Sequence, residues 1–311
     1  MLEPKDKAND RFSLLLGPWP HSGANYNISS FGPLEYDGDT AMQARRDVIK
    51  PFLDEHLKDH APRVAIAPVT VFESGTMQWR HQKTWPAANT PRALYFAADG
   101  RASFAAPKAK GFDEYVSDPA KPVPYLPRPI RFVEHDAWRT WLVADQRPYS
   151  DRPDVLTFVT EPLTAPVHIS GQAQVDLFAS TSGTDSDWVV KLIDVYPDEY
   201  APEPAMGGYQ LGIAMDIFRG RYRDSFEHPT AIPANSTQRY RFALPDANHV
   251  FAKGHRIMVQ VQSSWFPLYD RNPQTFVDNI FFAKPADYKK ATQRVFHEPG
   301  AASSVLLPVV R

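Results

Sequence analysis

The chain has 311 residues, a formal net charge of −2, and 43% hydrophobic against 23% charged residues, enough to bury a large core in one big domain or two ordinary ones. So small a net charge gives no electrostatic case for nucleic acid or an anionic membrane, and no apolar run approaches the ~20 residues of a spanning helix. The absence of cysteine removes disulfides, thiolate zinc sites and a cysteine nucleophile, while 30 prolines, about double the usual ~5% share, point to turns and edge strands.

The opening residues Met1 to Asn9 are mostly charged or polar and show no secretion-signal pattern. The run Phe12-Ser13-Leu14-Leu15-Leu16, closed by Gly17-Pro18, predicts a fully buried strand that stops at a turn. His21, in Gly17-Pro18-Trp19-Pro20-His21-Ser22-Gly23, then projects from the loop beyond the strand's carboxyl end, where ligands and catalytic loops collect in open α/β sheets. Asp39-Thr40 forms a candidate helix cap. Behind it Met42, Val48, Ile49, Phe52, Leu53 and Leu57 recur at three- and four-residue spacing, predicting an amphipathic helix kinked by Pro51.

Strand, histidine loop, helix is the order in which an α/β-hydrolase ends. In that fold serine, acid and histidine follow one another along the chain, so the nucleophile is expected upstream of Met1. The nucleophile elbow needs Gly-x-Ser-x-Gly, because glycines must flank the strained turn that exposes the serine. No serine here has glycine two positions before it. From Pro62 onward the pattern changes to short apolar or alternating runs: Val64 to Phe72, Ala93 to Phe96, Val155 to Val159, Val175/Leu177/Ala179, Trp188 to Tyr196, Ile213 to Phe218, Tyr240/Phe242/Leu244, Ile257 to Gln262 and Val305 to Val310. These predict a mainly β fold, a jelly-roll sandwich over 62–311, preceded over 1–61 by the last strand and helix of an α/β-hydrolase domain. Residues 105 to 153 form a proline-rich excursion that wraps the sandwich or reaches a neighbouring domain. One strand and one helix cannot cover their own apolar faces. The chain is therefore expected to be the C-terminal portion of a larger protein.

Four further constellations have both a chemical and a plain reading. Thr184-Asp185-Ser186-Asp187-Trp188 places two carboxylates on one strand face, able to hold a hard cation, although capping at a strand entrance is preferred. Phe218-Arg219-Gly220-Arg221-Tyr222-Arg223 could clamp an anion, but pairing with acidic neighbours is preferred. Tyr269-Asp270-Arg271-Asn272-Pro273 reads as a turn held by side-chain hydrogen bonds, with a cleft-lining loop as its functional version. Trp79, Trp85, Trp138 and Trp141 form either an aromatic platform for a sugar or acyl group, or core. His56 and His60 have helical metal spacing but no third ligand, so no metal and no cofactor are expected.

The stretches LLLGPWPHSGANYN, GDTAMQARRDVIKPFLDEHL, DEYVSDPAKPVPYLPRP, RPDVLTFVTEPL, STSGTDSDWVVKLIDVYPDE, FRGRYRDSF and GHRIMVQVQSSWFPLYDRNPQT, from about Phe12 to Arg294, resemble the C-terminal portion of the α-amino-acid ester hydrolases. These are also known as glutaryl-cephalosporanic acid acylases and are grouped with cocaine esterase and the Xaa-Pro dipeptidyl-peptidases. The resemblance implies a serine hydrolase that moves acyl groups bearing a free α-amino group, including β-lactam side chains, with His21 in the position of the triad histidine. It places the serine, the triad aspartate, the oxyanion tyrosine and the amine-binding carboxylates upstream, so that this chain alone is expected to be inert. Pro20 stands where the family pattern suggests a larger residue. The resemblance further implies a small-molecule α-amino ester or amide substrate, a missing N-terminal hydrolase and cap region as partner, self-association into a homo-oligomer, and a periplasmic or secreted setting. A Xaa-Pro dipeptidyl-peptidase or plain carboxylesterase of the same superfamily, and a stand-alone carbohydrate-binding jelly-roll module, remain as alternatives.

Overall fold

The computed structural model describes residues 12–127, 129–130 and 139–311. Strand β1 (Leu14–Leu16) runs parallel to β4 (Val69–Glu73), which pairs antiparallel with β5 (Gln78–Gln82), making a small three-stranded sheet. A hairpin of β2 (Ser30–Phe31) and β3 (Leu34–Glu35) and a helix in three pieces lie between β1 and β4 in the chain. The pieces are α1 (Thr40–Ala44), a π turn (Arg45–Ile49) and α2 (Lys50–Leu57). Proline at position 51 has no N–H, and its ring would strike the carbonyl of residue 47. Widening to the π turn just ahead of it relieves both faults, and this is the form taken by the distortion foreseen at Pro51.

The Asp39 cap is present: its carboxylate accepts from the Met42 N–H at 2.9 Å and the Ile28 N–H at 3.0 Å. Two other details differ from expectation. The residues of β1 are half-buried rather than fully buried, because among the described residues the strand has one neighbour, β4, and its other edge is unpaired. The helix buries Thr40, Ala41 and Ala44 instead of its larger apolar side chains, and Met42, Leu53 and Leu57 are exposed.

The remaining strands are β6 (Asn89–Ala97), β7 (Arg101–Ser103), β8 (Phe112–Ser117), β9 (Leu156–Val159), β10 (Val167–Thr181), β11 (Asp187–Val195), β12 (Gln210–Arg219), β13 (Gln238–Phe251), β14 (Arg256–Gln262), β15 (Ala291–Glu298), β16 (Ala301–Ala302) and β17 (Ser304–Val310). Among the described residues they join in one hydrogen-bonded order, β12-β11-β14-β9-β7-β6-β17-β10-β15-β16, with β13 on β10 and β8 on β15. The sheet folds back on itself. Inward residues of β11 and β14 (Trp188, Val190, Leu192, Val259, Val261) share a single core with those of β10, β13 and β17 (Val175, Leu177, Tyr240, Leu244, Val305). The mainly β sandwich expected from the alternating runs is therefore what the residues form. The strand foreseen at Val64 to Phe72 is the exception: it starts at Val69 and pairs with β1, not with the sandwich. Hydrogen bonding thus runs across residue 62.

The described residues of the excursion pack on the sandwich. Trp141 packs with Tyr125 and Trp265 over β11, while Val143 joins Leu34 of the hairpin and Tyr209 and Leu211 of the sandwich edge. The Gln146 N–H donates to the Gln210 carbonyl at 3.0 Å, which ties the segment to β12.

Candidate functional site

The loop after β1 is built around Trp19. Its indole N–H donates to Thr40 Oγ1 at 3.0 Å, and that hydroxyl donates in turn to the Ile28 carbonyl at 3.0 Å, so the loop hangs from the first residue of α1. The ring folds back over Gly17, where a Cβ would stand 2.4 Å from it, and over Gly23, where a Cβ would stand 2.7 Å from Trp19 Cβ. Only glycine fits either position. On its far side Trp19 packs against Trp79 at 5.9 Å, and Trp79 meets Phe72 edge-on at 5.3 Å, anchoring the loop on β4 and β5. The Tyr36 hydroxyl donates to the Pro18 carbonyl at 3.3 Å.

His21 sits between these anchors, on the tight turn Pro20-His21-Ser22-Gly23 closed by the Gly23 N–H to Pro20 carbonyl bond at 2.9 Å. Its side chain is exposed, and among the described residues it has no hydrogen bond or ion pair. The residues after it are fixed: Arg45 Nη1 donates to the carbonyls of Ala24 and Tyr26, both at 2.6 Å, and the Asp39 cap closes the circuit. Burial opposes charge on Asp39, but the Ile28 and Met42 N–H groups hold its carboxyl below the usual range. A free imidazole on a rigid rim at the carboxyl end of a strand can accept a proton from a hydroxyl brought to it and return it to a leaving group.

The other sequence constellations resolve into structure. Asp185 Oδ2 accepts from Arg221 Nε at 2.8 Å, and Asp187 pairs with Arg219 at 3.3 Å and accepts from Asn272 Nδ2 at 2.8 Å. Arg219 reaches Asp270 as well, at 2.7 Å. The acidic motif, the arginine motif and the Tyr269 to Pro273 turn thus neutralise one another in one network; the acidic pairing of the arginines was expected, but on a solvated strand, whereas Arg221 is buried in a short 3-10 turn after β12. Burial pushes the Asp187 carboxyl up to about 7, against the pull of Arg219 and Asn272. His56 stacks on Phe52 and bonds its carbonyl, and no group of metal-binding side chains occurs among the described residues. Among the described residues, Trp79, Trp85 and Trp141 do not form a common platform. Trp79 belongs to the His21 loop, Trp141 to the cluster with Trp265, Trp85 lines a separate groove beside Pro86, and Trp138 lies outside the described residues.

Two buried polar groupings escaped the sequence reading. Lys191 is fully buried in β11, donating to Gln146 Oε1 at 2.9 Å and lying 4.8 Å from the Trp265 ring centroid; burial lowers its pKa to about 7. The second is a chain of four: Ser74 Oγ stands 2.8 Å from His249 Nδ1, His249 Nε2 is 3.1 Å from Asp194 Oδ2, and Asp194 Oδ1 is 2.9 Å from His255 Nδ1. The chain of four has no short-range signal. A lysine inside the apolar run Trp188 to Ile193 was the one available hint.

Residues 63–306 match the X-Pro dipeptidyl-peptidase C-terminal non-catalytic domain. The chain belongs to that family. The His21 loop precedes the matched residues. Among curated relatives, cocaine esterase of Rhodococcus sp. (strain MB1 Bresler) is 33% identical over 325 residues, covering 99% of this chain and 52% of its own length. A putative serine esterase of Mycobacterium bovis (strain ATCC BAA-935 / AF2122/97) is 28% identical over 270 residues, covering 80% and 40% respectively. Among solved structures, an α-amino acid ester hydrolase superposes with a TM-score of 0.97 at 56% identity, over 99% of this chain and 52% of that one. An aminopeptidase from a marine sediment Thaumarchaeota archaeon gives 0.97 at 48% identity, over 100% and 51%. The chain spans about half the length of these relatives.

Proposed function

We propose that this X-Pro dipeptidyl-peptidase C-terminal family chain is the histidine-bearing part of a serine hydrolase that transfers or hydrolyses acyl groups of α-amino acid esters and amides. The observation that carries the reading is His21: a ring without partners, exposed at the carboxyl end of β1, on a loop that Trp19, Gly17 and Gly23 make rigid. The 56% identity to an α-amino acid ester hydrolase supports the substrate class. In this proposal residues 1–61 end a hydrolase domain and 62–311 form its jelly roll. The serine, its acid partner and the oxyanion donors come from the half of the relatives that this chain does not span. His21 takes the serine proton as general base and returns it to the leaving alcohol or amine, a contribution typically of ~10²–10⁴-fold. The edge of β1 that is unpaired among the described residues and the exposed Met42, Leu53 and Leu57 supply the surface on which that other half docks.

The test extends the chain by a segment corresponding to the relative's N-terminal half and follows hydrolysis of phenylglycine methyl ester. Turnover is expected from the extended chain, none from residues 1–311 alone, and a loss of at least ~10³-fold on His21→Ala. Undiminished turnover in that variant refutes the assignment. The aminopeptidase neighbour favours a second reading, cleavage of a peptide bond after a free amino terminus. Rates on a Xaa-Pro anilide and an acetyl ester beside the phenylglycine ester separate the two.

A further inference from the structure

The Ser74 to His255 chain has the connectivity of a nucleophile, a base and an orienting acid, inside this chain and apart from His21. Its proton positions are fixed by Asp194. Burial works against charge there, yet the hydrogen bonds from His249 and His255 outweigh it and hold the carboxyl below the ordinary range. An ionised carboxylate only accepts, so His249 Nε2 must carry the hydrogen it presents to Oδ2 at 3.1 Å. In the neutral ring Nδ1 is then a lone pair, which Ser74 Oγ approaches at 2.8 Å, nearer than its other acceptor, the Asn248 carbonyl at 3.2 Å. His255 fills the other carboxylate oxygen through Nδ1 at 2.9 Å, which keeps Asp194 from turning away. His249 and Asp194 have no exposed surface, and the ring is further held edge-on against Phe251 at 4.6 Å.

Ser74 itself is only half-buried. Its backbone is clamped against β13 on both sides, its N–H donating to the Asn248 carbonyl at 3.0 Å and its carbonyl accepting from the Val250 N–H at 2.9 Å. It also lines a cavity of about 390 Å³ whose other walls include Trp19, Phe31, Tyr36, Phe72, Met77 and Ile213. A positioned hydroxyl bonded to a base that is oriented by a buried acid, at the edge of a cavity walled by aromatic and aliphatic side chains and by Asp246, is the general signature of covalent acyl transfer. Because Ser74 follows Phe72-Glu73, the Gly-x-Ser-x-Gly criterion passes it over.

We infer that Ser74 is a second acyl-accepting serine, taking acyl groups from small esters with apolar or aromatic chains that fit this cavity. In the step, the Oγ–carbonyl carbon bond forms while the Ser74 proton moves to His249 Nδ1. The carbon–alkoxide bond then breaks, and the departing alkoxide leaves as alcohol with the proton from His249. The imidazolium formed in between is balanced by Asp194. The product is an ester at Ser74, formed once per chain and independent of the α-amino ester turnover assigned to His21.

The test treats the folded chain with 4-nitrophenyl butyrate and locates the adduct by intact mass and peptide mapping. One butyryl group at Ser74 is expected, absent in Ser74→Ala. Acylation of Ser74 in the folded chain should be at least ~10²-fold faster than in the same chain unfolded in urea, which removes the relay without any substitution. Asp194→Asn, which reverses the ring's hydrogen preference, should slow it by ~10²–10⁴-fold. The inference is overturned by the absence of a Ser74 adduct, by equal rates in folded and unfolded chain, or by an undiminished rate in an Asp194→Asn chain that retains its native melt.

Discussion

Replacing Lys191 by methionine tests how the sandwich core tolerates an amine. Lys191 is fully buried and donates to Gln146, and among the described residues no carboxylate is bonded to it. Its pKa falls from the ordinary 10.5 to about 7, with burial as the cause. At 1.36 kcal/mol per tenfold, the difference is a penalty on the order of 5 kcal/mol on the charged form in the fold. The sign follows from proton counts. Between pH 7 and 10.5 the unfolded chain holds the lysine proton and the folded chain does not, so stability rises with pH across that window. Below pH 7 both hold it, and the penalty is full and constant. Methionine keeps most of the volume and cannot be charged, but it leaves Gln146 Oε1 without a donor at a cost of about 1 kcal/mol. The variant is therefore expected to be more stable than the parent by a few kcal/mol at pH 6–7, with the gap closing and then reversing slightly by pH 10.5. Urea denaturation of both proteins at each pH unit gives the difference, in which other titrating groups cancel. Parallel curves for the two proteins from pH 7 to 10 would refute the account, since they would mean that the buried amine carries no proton linkage.

Gly17→Ala sets a Cβ 2.4 Å from the Trp19 ring; the ring must move, and a destabilisation of ~1–3 kcal/mol is expected in a thermal melt, with a larger fractional loss of kcat than of KM in the extended enzyme. Arg221→Met strands the buried Asp185 carboxylate and should cost ~3–5 kcal/mol in urea, much of it regained by adding Asp185→Asn. Asp39→Ala removes the acceptor of the Met42 and Ile28 N–H groups and should cost ~0.5–2 kcal/mol. Because the folded Asp39 carboxyl is lowered, that difference is full above about pH 4 and disappears as the pH falls through the folded value. Comparing the two melts at pH 6 and pH 3 checks it.

Local chemistry made much of this protein readable in one dimension. Asp39 announces a helix because a short acidic side chain ahead of an apolar period has orphan N–H groups to satisfy. Pro51 announces a distortion because its ring and missing N–H act within one turn. Runs such as Ile257 to Gln262 declare strands because alternation is a property of neighbouring residues. His21 was legible for the same reason, since strand, turn and histidine are contiguous. Strand β15 was missed because its inward positions include Gln293 and His297, so burial alternates along it while hydropathy does not.

What pairing across the sheets supplied could not be read that way. The join of β1 to β4 spans more than fifty residues, from Leu14 to Val69. Ser74 meets His249 across 175 positions, and Lys191 finds Gln146 across 45. Each contact depends on which strands become neighbours and in what register, a choice made by closing one large core rather than by any short pattern. The exposed imidazole of His21 was written in a seven-residue motif, whereas the sheltered relay at Ser74 exists because folding brought four distant side chains within hydrogen-bond reach.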